Sequence, residues 1–223
     1  MIEKNRVIQY VGNLAGIIAG KLDLDIELIR RKKRMRIILA SGSPRRKELL
    51  NLITNDFEVI VSNSEEIFKE NLTINEQSMD IAYQKAEAVF NKTKGNRLVI
   101  GADTIVVKNN QIYGKPKSKE DAVNIINKLQ NTEHEVITSI CVLIDEDGKI
   151  QKYSDCDISK VYVSKMTEKE INDWINTGKA MDKAGAYAIQ EEFSRFIDKI
   201  EGNYTSIMGL PVSKLYKIIK NYI

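Results

Sequence analysis

The residues most able to carry chemistry stand together at 41–46, where two serines, a glycine and a proline precede Arg45 and Arg46. Ser43 and Pro44 favour the start of an α-helix, with the serine as N-cap and the proline in the first turn. The two arginines then fall in that turn, where the helix dipole disfavours a cation by about 0.3–1 kcal/mol. Free backbone N–H groups and the two guanidinium groups together predict a phosphate-binding site.

A second interpretation of this segment stays open, in which Ser43 and Pro44 only cap a helix and the arginines point into water. Both interpretations need the same elements. Ile37–Ala40 is an apolar run of strand length, and Ser41-Gly42 interrupts it. We therefore predict a strand, a tight loop and a helix, in that order.

A single acid interrupts the apolar strand pattern of Leu98–Val107. Asp103 shares a strand face with Val99, Gly101 and Ile105, because alternate side chains of a strand point the same way. A carboxylate there is costly to desolvate unless it binds a cation, accepts hydrogen bonds or shifts its pKa. Gly101 leaves room beside it for a ligand or another backbone. This pattern indicates a functional role for Asp103.

Further candidates are scattered along the chain. Glu65-Glu66 follows a predicted strand at 57–62 and could supply cation ligands or form a solvated acidic turn. Lys85 lies beside the apolar stripe of a predicted helix, and its ammonium could reach solvent or a phosphate. Lys115 follows a glycine without forming a P-loop and could contact an anion. Three polar residues of a small-residue loop could also line a site: Asp182, Lys183 and Gln190.

Composition narrows the chemistry. The 223 residues are 43% hydrophobic, which suits one α/β domain. The 34 basic and 31 acidic residues nearly cancel in charge, which argues against a nucleic-acid-binding protein. His134 is the single histidine, so neither a Ser-His-Asp relay nor a histidine metal cage is supported. Cys141 and Cys156 indicate no metal site. Carboxylates, lysines, arginines and a hard divalent cation are left to do the chemistry.

The first 34 residues differ from the rest. Apolar residues recur at helical spacing from Val7 to Ile18, and the segment ends in the basic run Arg30–Arg34. This predicts an amphipathic helical extension before a domain at 35–223. The extension could dock on its own domain, on a partner or on an anionic surface, or it could add nothing to catalysis. Without a membrane-length apolar run or signal-peptide pattern, we expect a cytoplasmic protein.

The remaining element predictions follow from local signals. Ser118 and Thr167 are predicted helix N-caps, and the last helix is expected to begin at Gly209-Leu-Pro211. The segments 196–200 and 204–208, joined by a short turn, suggest a β-hairpin.

Several ordered motifs make residues 35–223 resemble the Maf family of nucleoside triphosphate pyrophosphatases. These motifs are Ser41-Gly-Ser-Pro-Arg-Arg-Lys-Glu-Leu-Leu50, Gly101-Ala-Asp-Thr-Ile-Val106, Gly114-Lys-Pro116, His134-Glu-Val-Ile-Thr138, Asp182-Lys-Ala-Gly-Ala-Tyr187 with Ile189-Gln190, and Gly209-Leu-Pro211. Six matches in order are far more specific than any one of them.

The resemblance implies an α/β fold with a mixed, strongly curved sheet flanked by helices, like that of inosine triphosphate pyrophosphatases, and usually a homodimer. It implies hydrolysis of a nucleoside triphosphate between the α- and β-phosphates, with Mg²⁺ or Mn²⁺, as a house-cleaning activity. The residues that would hold the triphosphate are Ser41, Arg45, Arg46, Lys85 and Lys115. Glu66 and Asp103 would handle the metal and its water, with Asp103 as proton acceptor.

Three positions match specificity markers of the family branch that acts on dTTP and UTP: Arg45, Thr104 and Gln190. One departure concerns the residue after the glutamine, where the family usually has glycine and this chain has Glu191-Glu192. The added negative charge could perturb substrate binding. Other interpretations are hydrolysis of 7-methyl-GTP or a modified nucleotide, a nucleotide-sensing regulator linked to cell division, and nucleic-acid binding through Arg30–Arg36.

Overall fold

The predicted strand, loop and helix at the start of the domain are present: β1 is Arg36–Leu39 and α1 is Pro44–Asn51. Ser43 occupies the N-cap position and Pro44 the first turn, as predicted, but the Ser43 side chain accepts no capping hydrogen bond. The computed structural model describes residues 20–21, 35–63 and 65–223. The predicted amphipathic helix of residues 1–34 therefore lies almost entirely outside the described residues.

The other elements alternate along the chain. The strands are β2 (Glu58–Val59), β3 (Arg97–Lys108), β4 (Gln111–Tyr113), β5 (Thr132–Glu146), β6 (Lys149–Val163) and β7 (Ile197–Glu201). The α-helices are α2 (Ile74–Lys92), α3 (Lys119–Leu129), α4 (Glu168–Asn176), α5 (Tyr204–Met208) and α6 (Val212–Ile219). Two 3₁₀ turns cover Ala184–Ala186 and Glu192–Phe196.

The strands form one seven-stranded sheet in the order β2-β1-β3-β5-β6-β7, with β4 paired to β3. β2 and β3 run parallel to β1, whereas the pairs from β3 to β7 are antiparallel. The predicted α/β domain with a mixed sheet is thus confirmed. Within the described residues, no helix has the length and apolar character needed to cross a membrane.

The two faces of β3 bury different cores. Leu98 and Ile100 belong to the larger hydrophobic cluster, whereas Val99 packs in a smaller cluster under helix α2. The same alternation turns Gly101 and Asp103 toward α2. A β-carbon added at Gly101 would lie 2.1 Å from a backbone oxygen of that helix. The room predicted beside Asp103 is therefore filled by another backbone.

Two element predictions were wrong. The strand predicted at 57–62 is confined to Glu58–Val59. The predicted hairpin is absent, because Asn203 caps a helix: its side-chain oxygen accepts hydrogen bonds from the backbone N–H groups of Thr205 (2.9 Å) and Ser206 (3.4 Å). That cap starts α5, and β7 pairs with β6 instead. The predicted caps at Ser118 and Thr167 are both confirmed.

Candidate functional site

Asp103 is the centre of a buried acid–base cluster. It is 7% exposed, and its carboxylate accepts hydrogen bonds from Lys85 Nζ at 2.8 Å and from Ser78 Oγ at 3.3 Å. The same Lys85 ammonium lies 2.8 Å from a carboxylate oxygen of Glu66. One lysine thus bridges the two carboxylates that were predicted to bind the metal. The Lys85 ammonium was expected to reach either solvent or a phosphate, and the structure shows it between Glu66 and Asp103 instead.

Helix α2 positions this cluster. Ser78 and Lys85 are seven residues apart, which is two helical turns, so both project from the face that packs on β3. The absence of a side chain at Gly101 lets this face approach the strand closely enough for hydrogen bonds to Asp103. Ser78 was not among the predicted site residues, although a serine in phase with Lys85 on a buried face is a signal for such a role.

Arg46 is fixed by three parts of the fold. Its Nε donates to the backbone oxygen of Gly209 at 2.9 Å, one terminal nitrogen to Ser41 Oγ at 3.1 Å, and the other to Thr104 Oγ1 at 3.1 Å. Burial lowers the pKa of Arg46 from its ordinary value, and attraction by Asp103 opposes that shift. The guanidinium of Arg46 is therefore preorganised, and the alternative in which it points into water is wrong.

Arg45 faces a different acid. Its terminal nitrogen lies 3.3 Å from a carboxylate oxygen of Asp182, whose other oxygen accepts from Lys183 Nζ at 2.8 Å. Burial acts to raise the pKa of Asp182, but Lys183 and Arg45 outweigh it and hold that pKa below its ordinary value. Asp182 and Lys183, which the sequence left only as possible lining residues, connect the loop at 182–190 to the arginine pair.

The two glutamates that depart from the family pattern are both paired. Glu191 lies 3.3 Å from Lys183 Nζ, and Glu192 accepts hydrogen bonds from Lys179 Nζ at 2.6 and 2.8 Å. Lys183 is 5% exposed, so a carboxylate near it stabilises a cation that is costly to bury. The expected added charge is therefore largely compensated by lysines of the same loop.

The acid–base cluster of Asp103, the arginine pair and the loop at 182–190 surround one cleft of about 670 Å³. The nine residues that the family resemblance assigned to the site line it: Ser41, Arg45, Arg46, Glu66, Lys85, Asp103, Thr104, Lys115 and Gln190. Of the nine, Lys115 is exposed and Gln190 half-buried. Asp182 and Lys183 line it as well, whereas Glu65 does not. The segments that were far apart in sequence thus converge on one concave surface with five cationic side chains and three carboxylates.

His134 supports the cleft from behind. Its Nε2 lies 2.6 Å from the hydroxyl of Tyr187, a residue that lines the cleft, and its ring is buried. Burial, with a smaller contribution from the charge of Lys108, lowers the pKa of His134 to about 4. His134 therefore packs behind the cleft as a neutral ring that is hydrogen-bonded to Tyr187.

We expect His134 to make folding sensitive to acid. Its pKa is about 4 in the folded protein against 6.5 ordinarily, so the unfolded chain binds the proton more readily. The stabilisation is complete above pH 6.5 and is lost as pH falls towards 4, on the order of 3 kcal/mol in total. Urea unfolding between pH 7.5 and 4.5 measures this loss. His134→Gln removes the titration, so equal pH slopes in wild type and variant would contradict the prediction.

The family described as Maf-like protein matches residues 36–222. A dTTP/UTP pyrophosphatase of Lachnoclostridium phytofermentans is 44% identical over 187 residues, covering 83% of this chain and 94% of the relative. A dTTP/UTP pyrophosphatase of Thermoanaerobacter sp. is 45% identical over 186 residues, covering 83% and 96%.

Among solved structures, a HAM1 protein from Coxiella burnetii is similar with a TM-score of 0.44 and 9% identity, covering 84% of this chain and 99% of that one. The family match spans nearly all of the described domain, and the two relatives align over 94% and 96% of their own lengths. The chain therefore belongs to the Maf family.

Proposed function

We propose that this protein is a nucleoside triphosphate pyrophosphatase that hydrolyses dTTP and UTP between the α- and β-phosphates, releasing the nucleoside monophosphate and pyrophosphate. The similarity to two dTTP/UTP pyrophosphatases supports this assignment. The observation that carries it is Asp103, a buried carboxylate held by Lys85 and Ser78 in the cleft that also contains Arg45 and Arg46.

In this proposal Asp103 accepts the proton of the attacking water while the water oxygen bonds to phosphorus and the bridging oxygen leaves with its electron pair. Lys85 and Ser78 fix the carboxylate in one orientation, so it needs no reorganisation during the reaction. Arg46, anchored on protein groups, and Arg45 stabilise the charge that grows on the phosphoryl oxygens. Arg45 can donate its remaining N–H groups to a phosphate oxygen while one terminal nitrogen stays 3.3 Å from Asp182.

Glu66 and Asp103 fit a hard divalent cation. Both carboxylates already converge on one positive charge, that of Lys85, at 2.8 Å each. Mg²⁺ is commonly bound by one or two carboxylates together with water and substrate phosphates. The described residues contain no group of three or more His, Cys, Asp or Glu suited to a metal, so the fit is to a site completed by the substrate. When bound, the cation neutralises phosphate charge.

A substrate panel tests the proposal. Purified protein is incubated with dTTP, UTP, CTP, GTP and 7-methyl-GTP, with Mg²⁺ or Mn²⁺ and with a chelator. We expect dTTP and UTP to be turned over fastest, with pyrophosphate rather than phosphate released and with loss of turnover in the chelator. Turnover of 7-methyl-GTP alone would reassign the substrate. Nucleotide binding without turnover would favour the sensing function.

Three expectations about the cellular setting remain predictions: the homodimer, the cytoplasmic location and the absence of nucleic-acid binding. Arg36, the described arginine of the basic cluster at 30–36, pairs with Glu58 through two hydrogen bonds of 2.9 Å. That pairing removes one cation from the set available to a nucleic acid. Sedimentation velocity tests the dimer, and salt-dependent binding of duplex DNA tests the nucleic-acid prediction.

Arg46 depends on a hydrogen-bond chain that runs into the sheet. Thr138 Oγ1 lies 2.7 Å from the backbone oxygen of Ser206 and 3.1 Å from Thr104 Oγ1. A carbonyl only accepts, so the proton of Thr138 goes to Ser206, and Thr104 must donate its proton to Thr138. Thr104 is then left as an acceptor for Arg46. Thr138, a member of the family motif that ends at 138, is fully buried and acts as a positioning residue.

We expect Thr138→Val to lower kcat/KM for dTTP about 10-fold, because Thr104 loses its acceptor and the Ser206 oxygen loses its donor. Steady-state kinetics measure the loss, and Thr138→Ser should restore both hydrogen bonds. The double variant with Thr104→Val should be no worse than Thr104→Val alone, since both changes break one chain. Effects that multiply would show that Thr138 acts by another route.

A further inference from the structure

An aromatic ring stands exposed in the cleft. Phe68 is 64% exposed and lines the cleft, although phenylalanine side chains are usually buried. It lies two residues after Glu66, whose carboxylate contacts Lys85. A large apolar group is therefore held in water beside the residues proposed to bind phosphate.

The chain around this ring is fastened to helix α2 on both sides. The side-chain amide of Gln84 accepts from the backbone N–H of Ile67 at 2.9 Å and donates to its backbone oxygen at 2.8 Å. The buried Gln77 accepts from the backbone N–H of Lys69 at 2.9 Å. Phe68 lies between these two attachments, so the backbone that carries the exposed ring is anchored.

The same helix carries Ser78 and Lys85, which hold Asp103. The backbone of the exposed ring and the acid cluster are thus both positioned by α2, so that backbone needs no ordering when a ligand packs on the ring. Two more exposed apolar side chains, Val61 and Ile112, also line the cleft. The cleft therefore combines cations with apolar surface, which suits a ligand made of phosphates and a flat ring.

We propose that Phe68 is the surface on which the nucleotide base stacks, an inference that rests on the proposed function. Stacking of a base on an aromatic side chain contributes about 1–3 kcal/mol to binding and depends little on which base is bound. Phe68 accordingly supplies affinity for a base, and the choice among bases falls to polar cleft residues such as Gln190. A phosphate chain without a base gains nothing from this ring.

The test compares ligands with and without a base. Phe68→Ala should raise KM for dTTP and for UTP between about 5-fold and 150-fold, which corresponds to the stacking free energy. Phe68→Tyr should stay near wild type. The inhibition constant of inorganic tripolyphosphate should change less than about 2-fold in both variants, since no base is present. Ile67→Ala is the matched control, because Ile67 is an equally exposed neighbour at 65% and does not line the cleft.

Three results would overturn the inference: an unchanged KM in Phe68→Ala, an equal weakening of tripolyphosphate inhibition, or a change of oligomeric state by sedimentation velocity that marks Phe68 as a contact with another chain. Calorimetric binding of dTTP in the presence of chelator separates the two proposals. Weaker binding of dTTP to Phe68→Ala together with no turnover by wild type would keep the stacking and remove the hydrolysis.

Discussion

Asp103→Asn is expected to lower kcat for dTTP and UTP about 1,000-fold, within the range that general bases contribute. Asparagine has nearly the same shape and keeps an oxygen that can accept from Lys85, which lies 2.8 Å from the native carboxylate. It cannot take a proton from water, and it is a weaker cation ligand. Binding should fall far less than turnover, so calorimetric binding of dTTP beside steady-state kinetics separates the two effects.

Asp145→Asn is the matched control for this experiment. Asp145 is also a partly buried aspartate paired with a cation, since its carboxylate lies 2.7 Å from Arg97, but it does not line the cleft. Its replacement should lower the free energy of unfolding and leave kcat unchanged. Retention of more than about a tenth of wild-type kcat in Asp103→Asn would mean that another group accepts the proton.

The position of Asp103 could be predicted because it depends on local rules. Strand alternation places it on the face of Gly101, and an isolated acid on an apolar face needs a partner. Helix-start signals at Ser43 and Pro44 likewise depend on neighbouring residues alone, and the structure confirms them. The parts of the site that depend only on neighbouring residues could therefore be predicted from the sequence.

The contacts between segments that are distant in sequence could not be predicted in this way. Lys85 has a long side chain whose direction is decided by the two carboxylates it meets, and these lie 19 residues before it and 18 residues after it. Ser78 and Thr138 are short polar groups inside otherwise apolar patterns, and only the packing of α2 and α5 on the sheet shows what they contact. Tertiary partners, rather than local preference, give these residues their roles.

In the segment after Asn203 two local signals compete, one for a hairpin and one for a helix cap, and the prediction followed the hairpin signal. Apolar residues around a short turn suggested a hairpin. The side chain of Asn203 instead accepts backbone hydrogen bonds and starts a helix, which brings the Ser206 oxygen to Thr138. A helix cap in place of a turn therefore completes the hydrogen-bond chain that positions Arg46.

Gly101→Ala is expected to lower both the free energy of unfolding and the activity, because the added methyl group would overlap with atoms of α2. Its carbon would lie 2.1 Å from the Ala82 backbone oxygen, 2.7 Å from the Ala86 backbone nitrogen and 2.9 Å from the Ala86 β-carbon. Two of these atoms belong to the backbone of α2, so no side-chain rotation relieves the overlap. We expect the free energy of unfolding to fall by about 3 kcal/mol or more, as measured by urea denaturation.

Activity should fall further than the loss of folded protein explains. If α2 moves away from β3 to admit the methyl group, Ser78 and Lys85 move with it, and their hydrogen bonds to Asp103 lengthen. Gly114→Ala is the control for stability, because a β-carbon there meets no atom within 4 Å. Wild-type stability and kcat in Gly101→Ala would contradict the claim that the close approach of this helix holds the carboxylate in place.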